Sequence, residues 1–283
     1  MSGGVLQQPR RRRGVSERRA TVQNAGPVWR GWDWGVLVLN ASLGDTTRPP
    51  SLALAARQRS HVLLVLADAL PGNTAQFERW LDQSVRQAVS SRAELLCARS
   101  YVEDDVDITR GRFTRLPFRY LTIFELSVDG ADQCGDAIDM IARDYIESGL
   151  ATAPATWLYH PASSKVGVLD GEASGMTVAY ANACPGEEAE FREWYATRHI
   201  RHALHIPALV SGEFLERSLF QNPGAMENGF AGIALYEQSG SAQSIVDAFL
   251  SLPPETFSFP SMDKSRFSEA SYRCLGLADE PVS

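Results

Sequence analysis

The sequence predicts an α+β protein built from two tandem units that share one order of elements, β-α-β-β-α-β. The first observation is an internal repeat, because residues 67–80 align without gaps with residues 181–194 and seven of the fourteen paired positions are identical. The second is a further match between residues 120–125 and 232–237. The two offsets, 114 and 112 residues, are nearly equal. The duplication therefore covers a whole domain and is too long for a solenoid repeat.

Hydrophobic patterning locates the elements of the first unit. The continuous apolar run His61–Ala67 has the length of a buried strand, and Pro71-Gly72 ends it. A helix follows from Ala75 to about Val89, with its apolar residues on one face at spacings of three and four. The remaining elements are predicted as strands at 95–102, 120–128 and 157–160 and a helix at 132–148.

The second unit repeats this order. Its predicted strands are 177–182, 212–217, 231–237 and 271–275, and its predicted helices are 187–204 and 241–250. This is the order of the ferredoxin-like split βαβ motif. One such sheet leaves a face exposed, and two sheets can bury those faces against each other. We therefore expect two ferredoxin-like domains, 60–165 (the degenerate copy) and 172–277 (the histidine-bearing copy), packed as an intramolecular α+β barrel pseudo-dimer.

Residues 1–59 belong to neither unit. Residues 1–30 contain seven arginines and one acidic residue, which predicts a basic and partly disordered extension, and a short strand is predicted at 36–40. The whole chain has a net charge of −7, so its body is acidic and a nucleic-acid partner is not expected. No long apolar run and no paired cysteine motif occur. We therefore expect no membrane span, no disulfide framework and a cytoplasmic location.

The most distinctive motif is residues 182–195, followed by His199 and by Ile206-Pro207. It resembles the dimeric α+β barrel superfamily, most closely its EthD-like members. These show a phenylalanine, a Trp-Tyr pair, a histidine four residues later and a Pro-Gly before the second strand. The chain departs from that pattern at Ala208, where glycine is usual, and at Arg201, where proline is common.

The resemblance implies a fold more firmly than a reaction. The superfamily includes muconolactone-type isomerases, polyketide cyclases, dehydratases, cofactor-independent monooxygenases, haem-dependent peroxidases, chlorite dismutases and members without known activity. Members often associate, so a further homodimer is compatible with the resemblance. The second copy is the expected site, since the first has Leu81 and Val85 at the positions of Tyr195 and His199.

The histidine-bearing helix carries the candidate chemistry. On a regular α-helix, Tyr195, His199 and His202 lie within about a quarter-turn of one another, on the face turned toward the sheet. A histidine there can act as general acid or base, with Tyr195 orienting an oxygen and His202 supporting it. The residues expected to contact the substrate are Tyr180, Asn182 and Phe214.

These residues favour a cofactor-free proton-transfer enzyme, an isomerase, dehydratase or cyclase, acting on a small aromatic, lactone or polyketide-like metabolite. Two alternatives stay open: a non-catalytic binding or stabilising protein, and a cofactor-independent monooxygenase. His199, His202 and His205 form H-x-x-H-x-x-H, but the outer pair is separated by about 9 Å of helix rise. No carboxylate adjoins them in sequence, so neither a metal nor another cofactor is expected.

Overall fold

A computed structural model describes residues 59–168, 173–222, 229–252 and 259–276. The strands are β1 (His61–Ala67), β2 (Leu95–Glu103), β3 (Tyr120–Leu126), β4 (Ala155–Pro161), β5 (Val166–Gly167), β6 (Gly175–Ala181), β7 (Leu209–Arg217), β8 (Gly232–Gln238) and β9 (Ser268–Gly276). The helices are α1 (Thr74–Ser91), α2 (Gly130–Glu147), α3 (Glu188–Trp194), α4 (Ile200–Ala203) and α5 (Ala242–Ser251). A π-helical turn, Tyr195–His199, joins α3 to α4, and a 3₁₀ turn, Lys264–Arg266, precedes β9.

The N-terminal extension and the strand predicted at 36–40 lie outside the described residues. Within those residues, every predicted strand and helix from 61 onward is found, with shifts of a few residues at the ends. None of the helices in the described ranges is both long and apolar enough to cross a membrane.

Eight strands form a closed antiparallel barrel. Their order is β4-β1-β3-β2-β9-β6-β8-β7, and pairing of β7 with β4 completes the ring, while β5 adds to β7. The first group, β1 to β4, and the second group, β6 to β9, have the same internal order and meet at the β2–β9 and β4–β7 pairs. The predicted α+β class and barrel are therefore confirmed. The assignment to two tandem ferredoxin-like domains, with boundaries 60–165 and 172–277, stays a prediction.

The alternation of side chains along each strand separates two cores. The barrel interior holds one apolar cluster, whose largest buried members include Tyr159, Tyr180 and Tyr272. On the outer face, α1 and α2 cover the first strand group, and α3, α4 and α5 cover the second. The period predicted for α1 is confirmed, because Phe77, Leu81, Val85 and Ala88 are all buried.

A buried ion cluster occupies one end of the barrel interior. The guanidinium of Arg59 donates to Glu125 on β3 at 2.9 Å and also to Glu213 on β7. Beside it, Lys165 Nζ lies 3.0 Å from a carboxylate oxygen of Glu237. Burial raises the pKa of Glu125, and Arg59 opposes that rise. Arg59 thus links a strand of the first group to a strand of the second.

Candidate functional site

A cavity of about 760 Å³ lies on the outer face of the second strand group. Its floor is formed by Ala179 on β6, Tyr236 on β8 and Glu269 on β9, and its wall includes Tyr195 and His199. Helix α5 and the loop between β2 and β3 supply further lining. That loop comes from the first strand group, so both groups contribute to one cavity.

Glu269 is one of the cavity residues that sequence reasoning missed. Its carboxyl group lies on the cavity floor and has no hydrogen bond or ion pair with another described residue. Burial alone raises its pKa to about 7. At neutral pH the group is therefore present in both protonation states, which suits a residue that takes up a proton and returns it.

The strand prediction explains the omission. That strand was expected to begin at Ser271, two residues after Glu269, whereas β9 begins at Ser268. The alternation in this segment places Ala270 and Tyr272 in the barrel interior and Glu269 on the helix-covered face. The sequence did contain a signal for this residue. The alternation of the strand assigns Glu269 to the face covered by helices, where a glutamate is rare unless it is paired.

Two tyrosines share the cavity with Glu269. Neither the Tyr195 nor the Tyr236 hydroxyl forms a hydrogen bond with another described residue. Burial first, and the charge of Glu269 among the further causes, raises both phenol pKa values. Both hydroxyls therefore stay protonated at physiological pH and can donate a hydrogen bond to a bound oxygen. Tyr236 was not predicted, although the repeat pairs it with Phe124 and so marks an added hydroxyl.

His199 is buried in the cavity wall beside aromatic rings. Its ring stacks on Trp194 at 4.4 Å between centroids and lies edge-on to Tyr195 at 4.6 Å. Burial first, and His202 second, lowers its pKa to about 3. The imidazole is therefore neutral at physiological pH and can hydrogen-bond a ligand, but it does not supply a proton from the imidazolium form. The predicted acid/base role of His199 stays a prediction.

His202 does not lie where the regular α-helix would place it. Its side chain is exposed and does not line the cavity. The cause is the π-helical turn, in which the Ile200 N–H donates to the Tyr195 carbonyl five residues back. One inserted residue rotates all later positions by about 100° around the axis. The expectation that His202 shares a face with Tyr195 is therefore wrong.

The three residues expected to contact substrate are placed elsewhere in the described structure. Tyr180 points into the barrel interior, where its hydroxyl lies 3.4 Å from that of Tyr272. The Asn182 side chain donates to the Arg266 carbonyl at 3.1 Å and accepts from the Ala231 N–H at 2.9 Å, so it ties two loops together. Phe214 stacks beneath Tyr195 at 4.8 Å. None of the three lines the cavity.

Metal and cofactor ligands are few at this site. In the described ranges no group of three His, Cys, Asp or Glu side chains could hold a metal ion. A haem would need an axial ligand. Among the described residues that line the cavity, His199 is the one histidine that such a ligand could come from. Its ring contacts those of Trp194 and Tyr195.

Comparison with known proteins places the fold. No protein-family model and no curated protein matches the chain. Among solved structures, an anthrone oxidase-like protein has a TM-score of 0.52 at 12% identity, covering 81% of this chain and 97% of that chain. The encapsulated DyP-type peroxidase of Mycobacterium smegmatis has a TM-score of 0.49 at 11% identity, covering 82% and 98%. A mutant chlorite dismutase from Candidatus Nitrospira defluvii has a TM-score of 0.47 at 12% identity, covering 79% and 96%.

These identities establish similarity of fold alone. The chain has the architecture of the dimeric α+β barrel proteins, as the sequence resemblance implied.

Proposed function

We propose that this chain is an enzyme that transfers a proton on a small, largely apolar carbonyl compound, with Glu269 as general base and acid. One observation carries the proposal: a carboxyl group of pKa about 7 lies on the cavity floor and forms no ion pair with another described residue. A carboxylate enclosed for structural reasons normally has a cation or several N–H donors beside it. Arg59 and its two partners show that arrangement elsewhere in this molecule.

The reaction follows from the groups around Glu269. Its carboxylate removes a proton from the carbon next to the substrate carbonyl, and the electron pair moves onto the carbonyl oxygen. The hydroxyl of Tyr195 or Tyr236 donates a hydrogen bond to that developing oxyanion. Protonated Glu269 then returns the proton to a different carbon, which completes an isomerisation. Alternatively it protonates a departing hydroxyl group, which leaves as water and completes a dehydration.

A comparison with the first strand group supports placing the active site in the second group. At the positions that repeat Tyr195 and His199 it has Leu81 and Val85, which are buried in a continuous apolar core. We infer that the chain is a tandem duplication of a ferredoxin-like unit in which the second copy keeps the site. The motif at residues 182–195 supports a place among EthD-like proteins.

The test is untargeted mass spectrometry of a metabolite extract incubated with wild type, Glu269→Gln or Glu193→Gln. Glu193 is an exposed glutamate on α3, so the control makes the same chemical change outside the cavity. We expect a compound to be consumed by wild type and by the control, and at least about 100-fold more slowly by Glu269→Gln. An unchanged mass indicates isomerisation or cyclisation, and loss of water indicates dehydration. Equal consumption by wild type and Glu269→Gln, or no consumption at all, overturns the proposal.

A second candidate, cofactor-independent oxygenation, uses the same base. The substrate carbanion that Glu269 generates can react with dissolved oxygen to give a peroxide anion, and protonated Glu269 returns its proton to that anion to give a hydroperoxide. The fold match to an anthrone oxidase-like protein is in keeping with that chemistry. An oxygen electrode separates the candidates, because proton transfer alone consumes no oxygen. Measuring the same reaction after addition of haemin shows whether a haem is required.

A further inference from the structure

Cationic side chains gather at the mouth of the cavity. Arg110 and Arg112 come from the loop between β2 and β3, and Lys264 comes from the 3₁₀ turn before β9. All three line the cavity and are exposed at its opening. The chain as a whole is acidic, with a net charge of −7. A group of cations at this opening therefore contrasts with the overall acidity of the chain.

The loop has a fixed conformation that sets where the arginines lie. The Asp107 carboxylate accepts hydrogen bonds from the N–H of Thr109 at 2.8 Å and of Gly111 at 2.7 Å. Arg110 itself has a φ of 56°, a left-handed conformation that is uncommon for arginine and needs such local support. The loop is also joined to the segment before β9, since the rings of Phe113 and Phe267 lie 4.6 Å apart.

The arginines of this loop fall into two classes. Arg115 is paired with Glu103 at 2.6 Å and Arg119 with Asp105 at 3.5 Å, as expected for local charge pairing. Arg110 and Arg112 have no ion pair with another described residue. The two arginines that line the cavity are thus those with charge available for a ligand.

The cations and the base differ in exposure and in position. Arg110 and Arg112 lie on an exposed loop and Lys264 is exposed, whereas Glu269 lies on a strand of the cavity floor and is only partly exposed. The lining also includes apolar side chains such as Ala203, Val246 and Phe249. A ligand that satisfies both ends has an apolar body and one anionic end.

We infer that the cavity binds an amphipathic oxyanion: an apolar, ring-sized body lies inside, and a terminal carboxylate or phosphate is held by Arg110 and Arg112 beside Lys264. The position of the reacting carbon at Glu269 rests on the proposed function, whereas the recognition of charge at the mouth does not. Guanidinium groups suit this role because they bind planar oxyanions through two parallel hydrogen bonds.

The experiment is isothermal titration calorimetry with three probes that share one ring system: naphthoate, naphthyl phosphate and the neutral naphthamide. We expect the wild-type chain to bind at least one of the two anions about tenfold more tightly than naphthamide. The variant Arg110→Gln/Arg112→Gln should lose that preference and keep its affinity for naphthamide. The probe that shows the larger difference identifies the anion as carboxylate or phosphate.

The matched control is Arg198→Gln/Arg201→Gln, which removes two exposed arginines from the π-helical turn and α4 without touching the lining. It should retain the full preference for the anion. The inference is overturned if wild type binds all three probes equally, if none binds at millimolar concentration, or if both double variants behave alike.

The same titration with Glu269→Gln separates the two proposals. If the anion preference persists while the metabolite assay shows no chemistry, the proposed reaction fails and the charge recognition stands. If Glu269→Gln abolishes turnover but the arginine variant binds every probe like wild type, the reaction stands and the charge recognition fails.

Discussion

Glu269 lies directly opposite Ala179 in the β6–β9 ladder, and both side chains point toward the covering helices. In the first strand group the corresponding pair is Val65 and Thr156, in the β1–β4 ladder. Valine fills the space that alanine leaves open, and threonine carries no charge. The same backbone pairing therefore supports a packed core in one group and a cavity with an acid on its floor in the other.

Filling the space at Ala179 should close the site without unfolding the protein. The substitution Ala179→Val introduces the side chain that Val65 already places at this register. We expect naphthoate affinity to fall at least about tenfold, and the free energy of unfolding to change by less than about 1 kcal/mol, because the added volume enters a cavity. Calorimetric titration and urea unfolding measure the two effects.

The reverse substitution is the control. Val65→Ala removes buried methyl groups from the first core, where no lining residue is altered. It should lower the free energy of unfolding by about 2 kcal/mol and leave naphthoate binding unchanged. If Ala179→Val binds naphthoate as wild type does, the space beside Glu269 is not where the probe binds.

The fold could be predicted because its signals are local and repeated. The run His61–Ala67 became β1 with the predicted bounds, and the spacing of Phe77, Leu81 and Val85 correctly identified the buried face of α1. Closure of the barrel depends on pairs between distant strands, such as β4 with β7, and the sequence indicated these only through the need of each sheet to bury a face.

The site was harder to predict because it depends on one departure from regular helical structure and on one pairing between distant strands. A single i→i+5 hydrogen bond at Tyr195 moved His202 to the surface, and no residue type marks a π-helical turn in the sequence. Glu269 lies beside the small residue Ala179 on the next strand, and this pairing joins residues far apart in the chain. Tyr195 and His199, which directly follow the repeated block 181–194, both line the cavity.

Glu269 should make the protein less stable as the pH rises. Its pKa is raised from 4.5 to about 7 in the folded state, so its ionised form is disfavoured on folding. The contribution of protonated Glu269 to the free energy of unfolding is therefore fully present below about pH 4.5 and is lost as the pH rises through about 7. Relative to wild type, Glu269→Gln should gain about 3 kcal/mol in free energy of unfolding across this window. Urea unfolding at a series of pH values measures the gain, and a difference that stays constant with pH contradicts the assignment.

His199 should act in the opposite direction. Its pKa is lowered from 6.5 to about 3 in the folded state, so the unfolded chain takes up the proton first. The contribution of neutral His199 to the free energy of unfolding is present above about pH 6.5 and is lost as the pH falls toward 3. His199→Phe, which keeps a ring against Trp194, should therefore gain about 2 kcal/mol over wild type between about pH 7 and about pH 5. His205→Asn, an exposed histidine outside the cavity, should show no such change, and a flat profile for His199→Phe would refute a neutral buried imidazole.

Arg59 should be essential for stability, because it pairs with two buried carboxylates at one end of the barrel interior. It is the cation that contacts both Glu125 and Glu213, and all three side chains are buried. Arg59→Met leaves two carboxylates enclosed without that partner, which should cost about 3–5 kcal/mol in free energy of unfolding. The triple variant Arg59→Met/Glu125→Gln/Glu213→Gln should recover most of this loss, because the charges are removed together. Arg119→Met, at an exposed pair with Asp105, should cost about 0.5 kcal/mol or less. Urea unfolding ranks the three variants, and a triple variant as unstable as Arg59→Met would mean that the arginine acts through packing and not through charge.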